Sequence, residues 1–295
     1  MKGFWLELFQ NSLYSALLLF LWGILGAIVA IHNRWFYLRP LQDRKKIPVS
    51  FSALCQVVTL FFLSVFLVGP LLLHLLQPLS SSFPIAGISF DSFSSFIPVF
   101  VTFLLLIRFS YSWHKDALFF FFAPPFVENP SIAKNAIASF FAWWILFPIV
   151  TFTHQLLTNA TLFFFHLPNL PDQVAIEFLK MSLSSPLAFF LALLVLIIFA
   201  PVSEELLFRG YLQNWLKKQI GRNAALIVTS LCFAFFHFST SQGLNNIPII
   251  ASLFTLGLGI GFVYERECSL SAPILLHSFF NCTSALNFAY LQGPQ

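Results

Sequence analysis

The stretch Pro186-Leu-Ala-Phe-Phe-Leu-Ala-Leu-Leu-Val-Leu-Ile-Ile-Phe-Ala-Pro-Val202-Ser203-Glu204-Glu205-Leu206-Leu207-Phe208-Arg209-Gly210 sets two carboxylates and a guanidinium directly behind 17 apolar residues. A run of that length has the dimensions of a membrane span. Charge at bilayer depth costs roughly 2.5 kcal/mol or more per group, so an ionisable cluster there marks a functional site by default. Proline suits the first turn of a helix, and Leu206 to Lys218 keeps helical composition with Gly210 as its one breaker. One long helix is therefore expected from Pro186 to a turn near Gly221-Arg222-Asn223.

Composition carries the membrane reading to the whole chain. Of 295 residues, 58% are hydrophobic and only 9% are Asp, Glu, Lys or Arg, against roughly 25% charged residues in soluble domains. Mean hydropathy is +0.85. The expected fold class is all-α, a polytopic integral membrane helical bundle of about eight transmembrane helices. The net charge of +4 is modest and gives no nucleic-acid footprint. Cys55, Cys232, Cys268 and Cys282 lack CxxC spacing and read as small core hydrophobes.

Eight apolar runs serve as spans: Ser12–Ile31, Phe51–Leu76, Phe93–Phe109, Ala136–Leu157, the long helix from Pro186, Ala224–Thr240, Ile247–Tyr264 and Leu270–Tyr290. Ala117–Val127 is apolar but too short to cross, and is expected to be re-entrant or interfacial. Gln173–Ser184 reads as an amphipathic interfacial helix. Arg34, Arg39, Arg44, Lys45 and Lys46 against Asp43 make the densest positive loop, which the positive-inside rule assigns to the cytoplasmic side. Asn159-Ala160-Thr161 is a sequon only by chance, and His32, His74, His114, His154 and His166, taken singly, read as interfacial or structural.

Positions 204 and 237 are equidistant from a turn at 220–221, roughly 24 Å along each helix. Glu204 and His237 can therefore face each other. His277 and Asn281 are spaced i, i+4 on one face of the last span, at a depth that can bring all four into one polar pocket. Adjacent helical residues point about 100° apart, so the two glutamates take different jobs. Glu205 and Arg209 have the favoured acid-first i, i+4 order of an ion pair, which leaves Glu204 for chemistry. On spacing alone, Glu-Glu-x-x-x-Arg is equally compatible with a packing or gating salt bridge.

Taken together, Glu204-Glu205-x-x-x-Arg209, Phe233-x-x-x-His237 and His277-x-x-x-Asn281 resemble the three motifs of the CPBP intramembrane proteases, the CAAX-processing and bacteriocin-processing family that includes type II CAAX prenyl endopeptidases. Gly257-Leu258-Gly259-Ile260-Gly261 and the run from Ser269 to His277 are similar to the family's glycine-rich helix and its S-L-x-x-P-I-x-x-H segment. The likeness covers about 186–290, which implies a catalytic membrane core there and a variable set of helices over 1–185, within a single membrane domain. Gly257 and Gly261 also form a small-xxx-small pair, suited to close helix approach.

The resemblance implies an intramembrane endopeptidase acting near the C-terminus of a membrane-associated, prenylated or otherwise lipid-adjacent substrate. Glu204 is then the general base, His237 its partner on the water, and His277 and Asn281 the oxyanion donors, with Glu205, Arg209 and Phe233 in support. No cofactor is expected; in a zinc-dependent version Glu204, His237 and His277 would be the ligands. HExxH is absent and no cysteine joins the set. The implied partners are a peptide or protein substrate and the bilayer, and the implied location is a bacterial inner (cytoplasmic) membrane with the site opening to the cytoplasm. A transporter or a bacteriocin-immunity scaffold built on the same pocket is the alternative from another class.

Overall fold

Ten helices follow one another in the computed structural model, which describes residues 2–38, 47–77, 90–125, 127, 131–183 and 185–292. Most of the positive loop, Arg39 to Lys46, and the Pro78–Ser82 turn lie outside these residues. The helices are α1 (Lys2–His32), α2 (Phe51–Leu76), α3 (Phe90–Trp113), α4 (Lys115–Phe122), α5 (Ile132–Phe165), α6 (Val174–Ser182), α7 (Pro186–Ile220), α8 (Arg222–Phe236), α9 (Asn246–Glu267) and α10 (Ser271–Gln292). The all-α polytopic bundle is as expected. Among the described residues, five helical segments are long and apolar enough to cross a membrane: Phe51–Leu76, Phe96–Trp113, Ile132–Phe165, Pro186–Ile220 and Thr240–Glu267. The other three expected spans are helices too. Leu17–His32 and α8 are shorter apolar helices, while α10 is diluted by His277, Ser278, Asn281, Thr283 and Ser284.

Boundaries moved where local chemistry decided them. α5 is 34 residues long and outruns the expected Ala136–Leu157: Ser131 caps its start, the helix runs on through Pro148, and His166 ends it in the left-handed region. The sequon lies inside this helix, with Thr161 buried and its hydroxyl donated to the Leu157 carbonyl at 2.7 Å. α8 stops at Phe236, short of the expected Thr240, since His237 is its C-cap and a 3₁₀ turn, Thr240–Asn245, follows with Gly243 at φ +48°. The turn between α7 and α8 falls on Gly221 at φ +88°, where glycine is tolerated best.

α5 is the central strut and packs against α1, α9 and α10. α4 is short, as expected, and tucks in with Phe121 fully buried. A Cβ on Gly210 would lie 3.0 Å from the Phe121 ring, so this glycine admits α4 against α7. The last carbonyls of α4 are capped by the start of α10: Leu270 N–H donates to Phe121 O at 2.7 Å and the Ser269 hydroxyl to Phe122 O at 2.8 Å. From α5, the Asn135 amide donates to the Ser271 hydroxyl at 2.6 Å and the Ser139 hydroxyl to Ala272 O at 2.8 Å. These bonds fix the register of α10, and with it the depth of His277.

The glycines of α9 face three neighbours, with Gly261 turned to Gln213 of α7. A Cβ on Gly257 would meet Ser230 of α8 at 3.1 Å, whereas Gly259 faces Leu146 of α5. Gly257→Ala is therefore expected to push α8 from α9 and to cost about 1–3 kcal/mol as overpacking. A fall in thermal midpoint in detergent checks this, and an unchanged midpoint contradicts it.

Candidate active site

Pro201 starts the local account of the site. It has no N–H to give and its ring crowds the carbonyl four residues back, and α7 responds with a π-helical turn over Val195–Phe199. The Ala200 amide bonds Val195 O instead of Leu196 O. The carbonyls released are taken by α10: the Asn281 amide donates to Leu196 O and the Ser278 hydroxyl to Ile197 O, both at 2.7 Å. The Ser203 hydroxyl satisfies Phe199 O at 2.8 Å. Buried backbone groups rarely go unpaired, so this bulge pins α10 to α7 about two turns before Glu204.

A second π-helical stretch, Leu206–Gln213, follows the two glutamates. Asn214 donates to the carbonyls of Arg209 (3.2 Å) and Gly210 (2.8 Å) and to the Tyr264 hydroxyl (2.6 Å). Glu205 and Arg209 are both fully buried and pair as the spacing predicts, with Arg209 Nη1 at 3.0 Å from Glu205 Oε2 and 3.1 Å from Oε1. Arg209 Nη2 donates to Gly257 O at 3.2 Å, and the guanidinium lies 4.5 Å from the Phe233 ring centre.

Glu205 has a second partner that spacing did not reveal. His277 Nδ1 lies 2.8 Å from Glu205 Oε1. The i, i+4 rule sees only residues of one helix, and this contact joins positions 72 apart. The assignment of Glu205 to Arg209 alone is thus too narrow.

Glu204 Oε2 is buried with no hydrogen-bond partner, 3.8 Å from His237 Nε2 and 4.0 Å from His277 Nε2. Glu204, His237 and His277 are therefore brought together, at side-chain exposures of 14%, 30% and 5%. His237 Nδ1 lies 2.8 Å from Phe233 O, and a carbonyl can only accept, so Nδ1 carries the proton. The carboxylate of Glu205 imposes the same tautomer on His277. Both Nε2 lone pairs then face Glu204. Phe233, fully buried, backs both imidazoles with ring centres at 4.9 Å from His237 and 5.7 Å from His277. Gln242 donates to His237 O at 3.1 Å and so holds the end of α8 in place.

Asn281 lies one turn beyond His277 on α10, with its amide nitrogen engaged by Leu196 O. An amide has two hydrogens, so one remains for another acceptor. Among the described residues, no three His, Cys, Asp or Glu side chains are grouped so as to hold a metal ion as placed. At the far end of α7, Glu265 of α9 is buried among three partners: Lys217 (2.8 Å), Arg222 (3.1 Å) and Gln213 (3.0 Å). Glu265 lies outside the residues that the sequence analysis singles out.

Fold and geometry define a polytopic membrane protein with a carboxylate-histidine cluster buried among its helices. Residues 186–283, a third of the chain, match the family model described as type II CAAX prenyl endopeptidase Rce1-like. That segment holds Glu204, Glu205, Arg209, Phe233, His237, His277 and Asn281, and the model describes the family that the three motifs resemble. The chain is also 37% identical over 89 residues to an "Uncharacterized 24.3 kDa protein" of Escherichia coli. That alignment covers 30% of this chain and 39% of the relative, so the chain spans about two-fifths of the relative's length. No solved structure matches the chain.

Proposed function

We propose that residues 186–290 form the catalytic core of an intramembrane endopeptidase, and that Glu204 activates the attacking water. The observation that carries this reading is the buried, unpartnered Oε2 of Glu204 between two imidazole Nε2 atoms. Glu204 Oε2 and the His237 Nε2 lone pair are two neighbouring acceptors that call for a molecule with two hydrogens to give, and a water held so keeps its lone pair for a carbonyl carbon. In this scheme the water donates to Glu204 Oε2 and His237 Nε2 and attacks the peptide carbon. Its proton passes to Glu204 and then to the leaving amine nitrogen as the C–N bond breaks.

The two histidines differ in what lies behind them. His237 rests on a neutral carbonyl and His277 on the Glu205 carboxylate. In this scheme His277 Nε2 takes a proton from bulk water before attack, the Glu205 carboxylate behind the ring compensates that charge, and the ring in this form donates to the tetrahedral oxyanion. The remaining N–H of Asn281 is assigned the same task. Glu205 and Arg209 hold His277 and the α7–α9 contact, and Phe233 supports both rings.

The substrate class is a membrane-associated peptide cut near its C-terminus; the family description favours a prenylated CAAX-type end. The core is placed in a bacterial inner membrane, with the site opening toward the side of the Arg34–Lys46 loop. The helices of 1–185 belong to the same membrane domain, a reading supported by the bonds from α4 and α5 to the start of α10. Reporter-peptide cleavage by the purified chain tests the scheme. Activity is expected to survive a zinc chelator and to be lost in His237→Ala. Activity that disappears with chelator and returns only with Zn²⁺ would overturn the metal-free mechanism, and cleavage unaffected by His237→Ala would favour a transporter or scaffold.

A further inference from the structure

We propose that the groove between α2 and α3 at Arg108 binds an anionic phospholipid. The groove holds about 490 Å³ and is lined by Leu60, Leu105, Arg108, Phe109, Ser112 and Trp113, within the range of ligand pockets. Its wall is largely apolar, and its side-chain polar groups are the Arg108 guanidinium, the Ser112 hydroxyl and the Trp113 indole N–H. Arg108 is exposed and donates to the Ser112 hydroxyl. Among the described residues no carboxylate lies within 4 Å of it, whereas Arg209, Arg222 and Arg266 each have one.

The level of the groove follows from Ser110, a buried residue whose hydroxyl receives the Tyr211 O–H at 3.0 Å. Tyr211 is seven residues past Glu204, roughly 10 Å along α7 toward the Gly221 turn. Arg108 therefore sits near the end of the bundle, away from the catalytic cluster. Next to it Trp113 is 75% exposed and Tyr111 51% exposed. Lys115 Nζ lies 5.6 Å from the ring centres of both Tyr111 and Phe119. Interfacial aromatic rings, two cations and an apolar wall below them match a phosphate headgroup with its acyl chain. The flank is lipid-facing, since Phe62, Leu63 and Leu104 are exposed beside it. A free anion would use the cation but leave the apolar wall unused.

The test is the thermal midpoint of the full chain in mild detergent, titrated with phosphatidylglycerol, with phosphatidylcholine of the same acyl chains, or with inorganic phosphate. Phosphatidylglycerol alone is expected to raise it. Arg108→Gln is expected to raise the half-saturating phosphatidylglycerol concentration by roughly five-fold, the loss of one interfacial cation. Leu105→Trp, which fills the groove and keeps the cation, is expected to abolish the shift. Midpoints without lipid report whether each variant folds, and either folded variant suffices for the test. An equal response to both lipids, a response to phosphate alone, or a phosphatidylglycerol shift unchanged in the folded variants contradicts the proposal.

Discussion

Glu205→Gln is expected to cost the fold about 3–5 kcal/mol, the penalty for leaving a buried cation without its anion. Arg209 is fully buried and its only carboxylate partner within 4 Å among the described residues is Glu205. A neutral amide at 205 can still accept a hydrogen bond, but it cannot balance the guanidinium. The variant should reach the membrane at low abundance and melt early. Glu205→Gln combined with Arg209→Met removes both charges and is expected to recover much of the stability, since apolar replacement of a whole buried pair is often neutral. Turnover should not recover with it, because His277 would face an amide where it had a carboxylate. A double variant that is both stable and fully active would show that Glu205 serves Arg209 alone.

Glu204→Gln is expected to act in the opposite sense, sparing the fold and removing turnover by roughly 100- to 10,000-fold, the range for a lost general base. Glu204 Oε2 has no hydrogen-bond partner to lose and the side chain is partly exposed. Gln at this position keeps size and loses only the ability to take a proton. The measurements are reporter cleavage per mole of folded protein and the thermal midpoint of the same sample. Equal loss of abundance in Glu204→Gln and Glu205→Gln would mean that the two carboxylates have been divided wrongly.

The site was legible in the sequence to the extent that helix periodicity and turn position control it. Gly221 marks the α7–α8 turn, and equal arm lengths then bring Glu204 and His237 to one level. The Glu205–Arg209 pair follows from i, i+4 spacing within one helix. Contacts between distant segments were not legible, because nothing local encodes them. The His277–Glu205 bond, the Asn281–Leu196 bond and the Ser139–Ala272 bond each span 72 residues or more. Asn281 is the instructive case. Pro201 lies inside the stretch expected to be one unbroken helix; the carbonyls it frees need donors, and only the packed structure says that α10 supplies them.

Fold boundaries failed for a related reason. His237 is a polar residue in an apolar run, and composition alone let the helix continue to Thr240. The Ser239–Asn246 segment, rich in Ser, Gly and Asn, folds back instead, with Asn246 receiving the Ser239 amide at 3.1 Å and donating to the carbonyls of Ser239 and Gly243. Placing His237 at a helix end, with its backbone carbonyl held by Gln242, fixes the ring more firmly than a mid-helix position facing lipid would.

The central claim, that Glu204 drives peptide hydrolysis in the membrane, is tested most directly by comparing the termini of membrane proteins in cells carrying the wild-type chain or Glu204→Gln at matched abundance. A defined set of new C-termini present with the wild type and lost in the variant is the expected result. Identical termini in the two, with both proteins folded and in the membrane, would contradict it.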